Sequence, residues 1–241
     1  MIKHTKLLFY ISATILFITC FFDFMHCNVT ISKMKKLKFG KVSYLTFNGL
    51  FLTICALIGC IYNEIKELLK IENNKIQKEN KKDTLTEQNK KKREQFIKKA
   101  ISTIFSIALC METVIFLMFW TIYAVNKKNF YEAEELINFK ILHEFTNLAM
   151  HMFPLIVLLI IFIIEDYYVA EKKTIFFIAL YSMFYYGIVC LSGIVYKTPV
   201  YLFTKDYTYL NYIFLIAIGF CLFVISHFSY SMINKKLKNI K

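Results

Sequence analysis

The sequence predicts an all-α polytopic membrane protein with six transmembrane helices and both termini in the cytoplasm. Three observations carry this. The 241-residue chain is 57% hydrophobic, with only six Gly and two Pro, and its mean hydropathy is +0.49. Its apolar residues gather in runs of about 18 to 25, the length that crosses a ~30 Å hydrocarbon layer at 1.5 Å per residue. Its lysines lie mainly between those runs.

The first run is about 7–26. A cleaved signal peptide is the rival reading, but the run is long and ends in bulky residues, Phe21 to Met25, rather than a small-x-small site. A retained helix is expected. A short basic loop, 28–43, leads to the second run, 44–62. Residues 63–99 form a charged stretch with 12 Lys/Arg against seven acids and no Gly or Pro. Ile65, Leu68, Leu69 and Ile71 recur there at helical spacing, which predicts helical extensions of the flanking spans around a mobile Asn/Lys-rich middle. The third run is 100–125, with Trp120 and Tyr123 as interface anchors. The fourth is 147–164, the fifth 174–196 and the sixth 209–233, before a basic tail. The whole chain reads as one transmembrane domain.

Charge sets the orientation. The N-terminus, the second and fourth loops and the C-terminus hold 20 Lys/Arg, and the other three loops hold 10. The positive-inside rule then puts both termini and the 63–99 loop in the cytoplasm. Asn28-Val29-Thr30, a glycosylation sequon, falls on the other side and close to the membrane. The formal net charge of +13 would suggest nucleic acid in a soluble protein. Here the lysines are loop residues that meet anionic headgroups, so membrane lipids are the expected partner and nucleic acid is not. Six of the seven cysteines lie inside apolar runs, Cys27 sits at a boundary, and no CxxC occurs. They read as small buried hydrophobes rather than as disulfides or a zinc site.

Two polar residues enter the membrane at similar depth. Spans two and four both start at the outer side. Thr46 lies five residues past Lys41 and His151 seven past Glu144. These separations are about 7 and 10 Å of helix. A Thr in a membrane helix ordinarily bonds to its own helix carbonyls or packs at a helix contact. An intramembrane His leans toward function. Together they are a candidate nucleophile and base, because a neutral imidazole can take the hydroxyl proton that attack on an ester releases. Asn147, one turn before His151, could orient the ring or donate to an oxyanion. Pro154 should loosen the backbone at the histidine, and a bent helix there suggests a cavity. Glu112 lies mid-span and needs a partner: it either pairs with His151 or stays protonated as a structural donor. Asp23 is nearer a membrane edge. A metal reading of His143, Glu144, Asn147 and His151 is weak, since Asn is a poor zinc ligand and there is no H-E-x-x-H. There is also no G-x-S-x-G, P-loop or dinucleotide-binding glycine pattern.

Several short motifs occur in a familiar order. They are Tyr44-Leu45-Thr46-Phe47, Lys92-Arg93-Glu94, Phe119-Trp120-Thr121-Ile122-Tyr123-Ala124 and Asn147-x-x-Met150-His151. The segment Gly193 to Tyr201, with Tyr196 and Pro199, is a looser match. In this order the chain resembles the androgen-induced and androgen-dependent transmembrane hydrolases. The resemblance covers most of the chain. It implies a six-span membrane enzyme with cytoplasmic termini and no cofactor. The implied reaction is hydrolysis of fatty-acid esters of hydroxy fatty acids, with Thr46 as nucleophile and His151 as base. Where the family pattern has Asn-His-Gly/Ala-Met-His-Thr, this chain has Asn147-Leu148-Ala149-Met150-His151-Met152, without the extra His and the trailing Thr. An endomembrane such as the endoplasmic reticulum, or the plasma membrane, is the expected location. Two other readings stand beside the hydrolase. One is a non-catalytic multi-span protein, a transporter or assembly factor, that uses Glu112 as its polar site. The other is a metal-dependent lipid enzyme that uses His143 and His151.

Overall fold

A computed structural model describes residues 3–26, 44–76, 84–125, 149–169, 172–198, 200–201, 204 and 206–240. Among them the chain is all-α, with no strand. The helices are α1 (Lys3–His26), α2 (Leu45–Ile76), α3 (Thr84–Val125), α4 (Phe153–Ile164), α5 (Lys172–Cys190) and α6 (Tyr209–Ile240). A π-helical turn, Leu191–Val195, continues α5. Five of these helices, all but α4, are long and apolar enough to cross a membrane, and the chain is an integral multi-pass membrane protein by that length and hydropathy.

α3 is the hub. It packs against α2, α4, α5 and α6, while α1 lies outside on α2. Phe105, Leu109, Cys110, Met111 and Val114 of α3 are completely buried. On the outer helices the pattern inverts. Phe176, Met183 and Phe184 of α5 and Ile213, Ile225 and Met232 of α6 are exposed. An apolar rim around an apolar core suits a lipid surround, which a soluble domain could not tolerate.

The charged stretch 63–99 behaves largely as its periodicity predicts. α2 runs on to Ile76, α3 starts at Thr84, and Glu94 of α3 pairs with Lys66 (3.1 Å) and Lys70 (3.5 Å) of α2. Residues 77–83, which hold most of the expected mobile middle, lie outside the described residues. At the same end, Lys6 of α1 pairs with Glu165 just past α4, and Lys238 of α6 pairs with Asp166 at 3.0 Å.

The fourth span differs from its predicted form. Residues 149–151 are helical, Met152 breaks the helix with φ −126° and ψ −47°, and α4 resumes for 12 residues. Twelve residues cover about 18 Å, well short of a bilayer core. The physical reason is Pro154. In a continuous helix its ring would clash with the Met150 carbonyl. After the break it sits in the first turn of α4, where a missing N–H costs nothing.

The fifth span ends at a left-handed residue. Lys197 has φ 54°, and Thr198 N–H donates to Ser192 O at 2.8 Å, one residue wider than the six-to-one bond of a Schellman stop, as suits an end that follows a π-helical turn.

α5 and α6 touch through a glycine. A Cβ placed on Gly219 of α6 would lie 1.4 Å from the Tyr186 hydroxyl and 2.3 Å from its Cζ. Gly219→Ala should therefore lower stability by about 1–3 kcal/mol through overpacking. The added change Tyr186→Leu should restore most of it. Thermal unfolding in detergent checks both, and an alanine variant as stable as the parent would rule out this close approach.

Candidate active site

Thr46 is the second residue of α2, so its position depends on how that helix begins. The first turn is fixed by aromatic and polar contacts. Phe47 stacks on Phe21 of α1 at a ring separation of 4.6 Å and an interplanar angle of 29°. Asn48 donates to the Tyr44 carbonyl from both its backbone N (3.3 Å) and its side-chain Nδ2 (3.0 Å). The Leu45 N–H donates to the Tyr201 hydroxyl at 3.1 Å.

His151 closes the helical segment that precedes the Met152 break. Its Nε2 lies 3.1 Å from Thr46 Oγ1. The ring lies flat on Phe119 of α3, with centroids 3.6 Å apart and planes 15° from parallel. The structure thus brings together a hydroxyl from α2, an imidazole from the fourth segment and an aromatic face from α3. His151 is 7% exposed, with its ring covered by Phe119. The cavity expected at the bend would be shared with the residues before Ala149, which lie outside the described residues. A shallow pocket does exist at the start of α6, lined by Tyr207, Asn211, Phe214, Leu215 and Ile218, none of them residues of the Thr46–His151 contact.

Glu112 does not join this pair. Its carboxyl accepts a hydrogen bond from Thr53 Oγ1 at 3.0 Å. Thr53 follows Thr46 by seven residues, and Glu112 precedes Phe119 by seven. Each step is two turns, about 10 Å of helix. The carboxyl therefore lies on the same α2–α3 seam as the dyad but deeper. Of its two expected partnerships, pairing with His151 is not the one seen. Gly49 makes room for it: a Cβ there would come within 2.9 Å of Glu112 Oε1 and 2.3 Å of Ile115 Cδ1.

Asn147, His143 and Glu144 lie outside the described residues, as does the glycosylation sequon. α1 contains Asp23, whose side chain also lies outside them. Among the described residues no three His, Cys, Asp or Glu side chains converge as metal ligands would.

Three residues at this end were not assigned a site role from the sequence. Phe119 was visible only as part of an aromatic run next to Trp120. Tyr201 lay at the edge of a loose tyrosine-proline match. Tyr185, whose hydroxyl meets that of Tyr201 at 2.8 Å, carried no signal in a chain with 16 tyrosines.

The Thr53–Glu112 bond should show as a coupling energy. A double-mutant cycle with Thr53→Val and Glu112→Met, read from unfolding in mixed micelles, should give roughly 0.5–2 kcal/mol, as for other interhelical hydrogen bonds in membranes. Strict additivity would mean that the two side chains do not interact.

No curated protein and no solved structure matches the chain. A family model does match it, over residues 5–235, nearly its whole length. That span takes in Thr46, His151 and the helices that carry them. The chain belongs to the FAR-17a/AIG1-like protein family.

Proposed function

We propose that this protein is an intramembrane lipid hydrolase that cleaves fatty-acid esters of hydroxy fatty acids, with Thr46 as nucleophile and His151 as general base. The observation that carries the reading is the 3.1 Å approach of Thr46 Oγ1 to His151 Nε2 across two helices. Family membership and the order of the motifs support it.

The chemistry follows from the groups present. Nε2 accepts the Thr46 proton only if the neutral ring carries its own proton on Nδ1. Oγ1 then attacks the ester carbonyl, and the proton moves to Nε2. The ring becomes a cation lying on the π face of Phe119, a favourable placement for positive charge in a site shielded from water. Charge builds on the former carbonyl oxygen. Thr46 sits in the first turn of α2, where amide N–H groups lack intrahelical acceptors and the helix dipole is positive. That end of the helix suits a developing oxyanion. Collapse of the intermediate breaks the C–O bond, and the imidazolium gives its proton to the departing hydroxy fatty acid. Water, activated by the same His151, then hydrolyses the acyl-threonine.

The reading includes six membrane crossings with cytoplasmic termini. The fourth is the interrupted one, made of α4 with the residues that lead up to His151. An ester held at that level would have its acyl chains in hydrocarbon and its carbonyl near the membrane edge, where Thr46 starts its helix.

Purified protein in detergent should release free fatty acid from a hydroxy-fatty-acid ester. Thr46→Ala should abolish release, Thr46→Ser should retain part of it, and His151→Ala should lower kcat by about 10²–10⁴. A threonine-reactive lipid probe should label the wild type and not Thr46→Ala. Equal labelling of the two, or undiminished hydrolysis by folded Thr46→Ala, would sink the threonine mechanism, and no release by the wild type across several lipid esters would favour a non-catalytic protein.

Phe119→Leu tests the ring support. With the aromatic face gone, kcat should fall by roughly 10–100-fold while KM changes little, because only the placement and charge of the base are altered. An unchanged kcat would show that the stack is incidental.

A further inference from the structure

Among the described residues the start of α2 has no ordinary side-chain cap. The residue before it is Tyr44, whose side chain cannot fold back to accept from the first amides as Ser, Thr, Asp or Asn would. The first of those amides, Leu45 N–H, instead donates to a side chain 156 residues away, the hydroxyl of Tyr201, at 3.1 Å. That hydroxyl also meets the Tyr185 hydroxyl at 2.8 Å. Tyr185 is 3% exposed and belongs to α5, so the pair is tied to the body of the bundle. The Tyr201 ring meets Tyr44 edge-on, with centroids 6.0 Å apart and planes at 90°.

A phenol oxygen has two acceptor lone pairs and one proton. The Leu45 amide uses one lone pair. Tyr185 takes either the other lone pair or the proton. Both bonds can therefore be made at once, and Tyr201 acts as a cap supplied from a distant part of the chain.

We propose that Tyr201, held by Tyr185, is a positioning residue for Thr46. It fixes the first turn of α2 so that Thr46 Oγ1 stays within hydrogen-bond reach of His151 Nε2. This rests on the hydrolase reading above. The residue it grips, Leu45, is the immediate neighbour of Thr46. A helix end frays when its first amides lose their acceptors. A shift of about 1 Å in a reacting group can cost about 100-fold in rate. The hydroxyl of Tyr201, not its bulk, is what this role needs.

Tyr201→Phe is therefore the test, since it keeps the ring against Tyr44 and removes only the oxygen. Tyr186→Phe is the control: Tyr186 adjoins Tyr185, but its hydroxyl has no hydrogen-bond partner among the described residues. Two quantities are read in each full-length variant in detergent, ester hydrolysis and backbone amide exchange over residues 44–50. In Tyr201→Phe, kcat should fall at least about tenfold with KM within about twofold, and exchange over 44–50 should quicken by about tenfold. Tyr185→Phe should move both in the same direction by less, and Tyr186→Phe should move neither. If Tyr201→Phe leaves both unchanged, or quickens exchange without lowering kcat, Tyr201 does not position Thr46. A fall in kcat with unchanged exchange also overturns the inference, because Tyr201 would then act on the substrate itself. If the wild type hydrolyses no ester, the hydrolase reading is what fails. Exchange alone then decides whether Tyr201 holds the helix start: faster than in Tyr186→Phe supports it, and equal overturns it.

Discussion

A polar side chain inside a hydrocarbon layer has to find its partner within the protein, and that requirement orders this bundle. Apolar packing alone is a weak guide in lipid, because a leucine is as content against an acyl chain as against another leucine. The polar contacts supply the direction. Thr53 of α2 meets Glu112 of α3. Thr113 of α3 bonds the Leu109 carbonyl and meets the Tyr230 hydroxyl of α6 at 2.7 Å. Ser106 of α3 accepts from the Val169 amide at 2.9 Å, beyond the end of α4. Tyr168 bonds both the ring and the backbone carbonyl of His227 on α6. Most of these contacts include a residue of α3, and each fixes a neighbour's rotation about its own axis.

Seen this way, the Thr46–His151 contact is one more interhelical polar pair, and what sets it apart is its chemistry. Of the other pairs only Tyr168–His227 also joins a hydroxyl to an imidazole, and there the hydroxyl is held by the His227 backbone carbonyl as well. Thr46 and His151 join a group that becomes nucleophilic when deprotonated to one whose neutral ring can take that proton. Phe119 gives the ring a face to lie on, and the α2 terminus gives the threonine a field of positive sign. Glu112, deeper on the same seam, belongs with the structural pairs.

What the sequence could and could not say follows from the same physics. Run length and loop charge are properties of single segments, so the positions of the helices were legible, including the continuation of α2 and α3 past the membrane. The shared depth of Thr46 and His151 was legible too, because depth depends only on topology and residue count. Rotation was not. Whether Glu112 turns to His151 or to Thr53 depends on how α2 and α3 mesh, and Gly49 leaves the room that the Glu112 carboxyl occupies. The Pro154 break was visible as a tendency. Its result, a helix of 12 residues beginning after Met152, was not, since the same proline could have produced a kink. Tyr201 was beyond reach for a different reason. Its bond is to a backbone amide 156 residues away, and a backbone amide carries no residue-type signature.

Several breaks in helical backbone lie at one end of the bundle. Met152 interrupts the fourth segment directly after His151. The π-helical turn and the left-handed Lys197 end the fifth a few residues before Tyr201. α2 begins there with a cap borrowed from Tyr201. The opposite end combines the extensions of α2, α3 and α6 with the non-helical residues 165–169 after α4, tied by ion pairs such as Lys66–Glu94 and Lys238–Asp166. Non-helical backbone at membrane depth exposes amides and carbonyls, and it persists only where protein groups or water satisfy them. Here three such bonds are made within the protein, two to carbonyls and one to a tyrosine hydroxyl. The Met152 carbonyl accepts from Ile156, Ser192 from Thr198, and Tyr201 from Leu45. A bundle made only of continuous helices would hold Thr46 and His151 on rigid rods, with their separation set by packing along the whole length. Breaking the helices at this end lets local contacts at Phe47, Phe119 and Tyr201 set that separation, independently of the fit between the helices farther down.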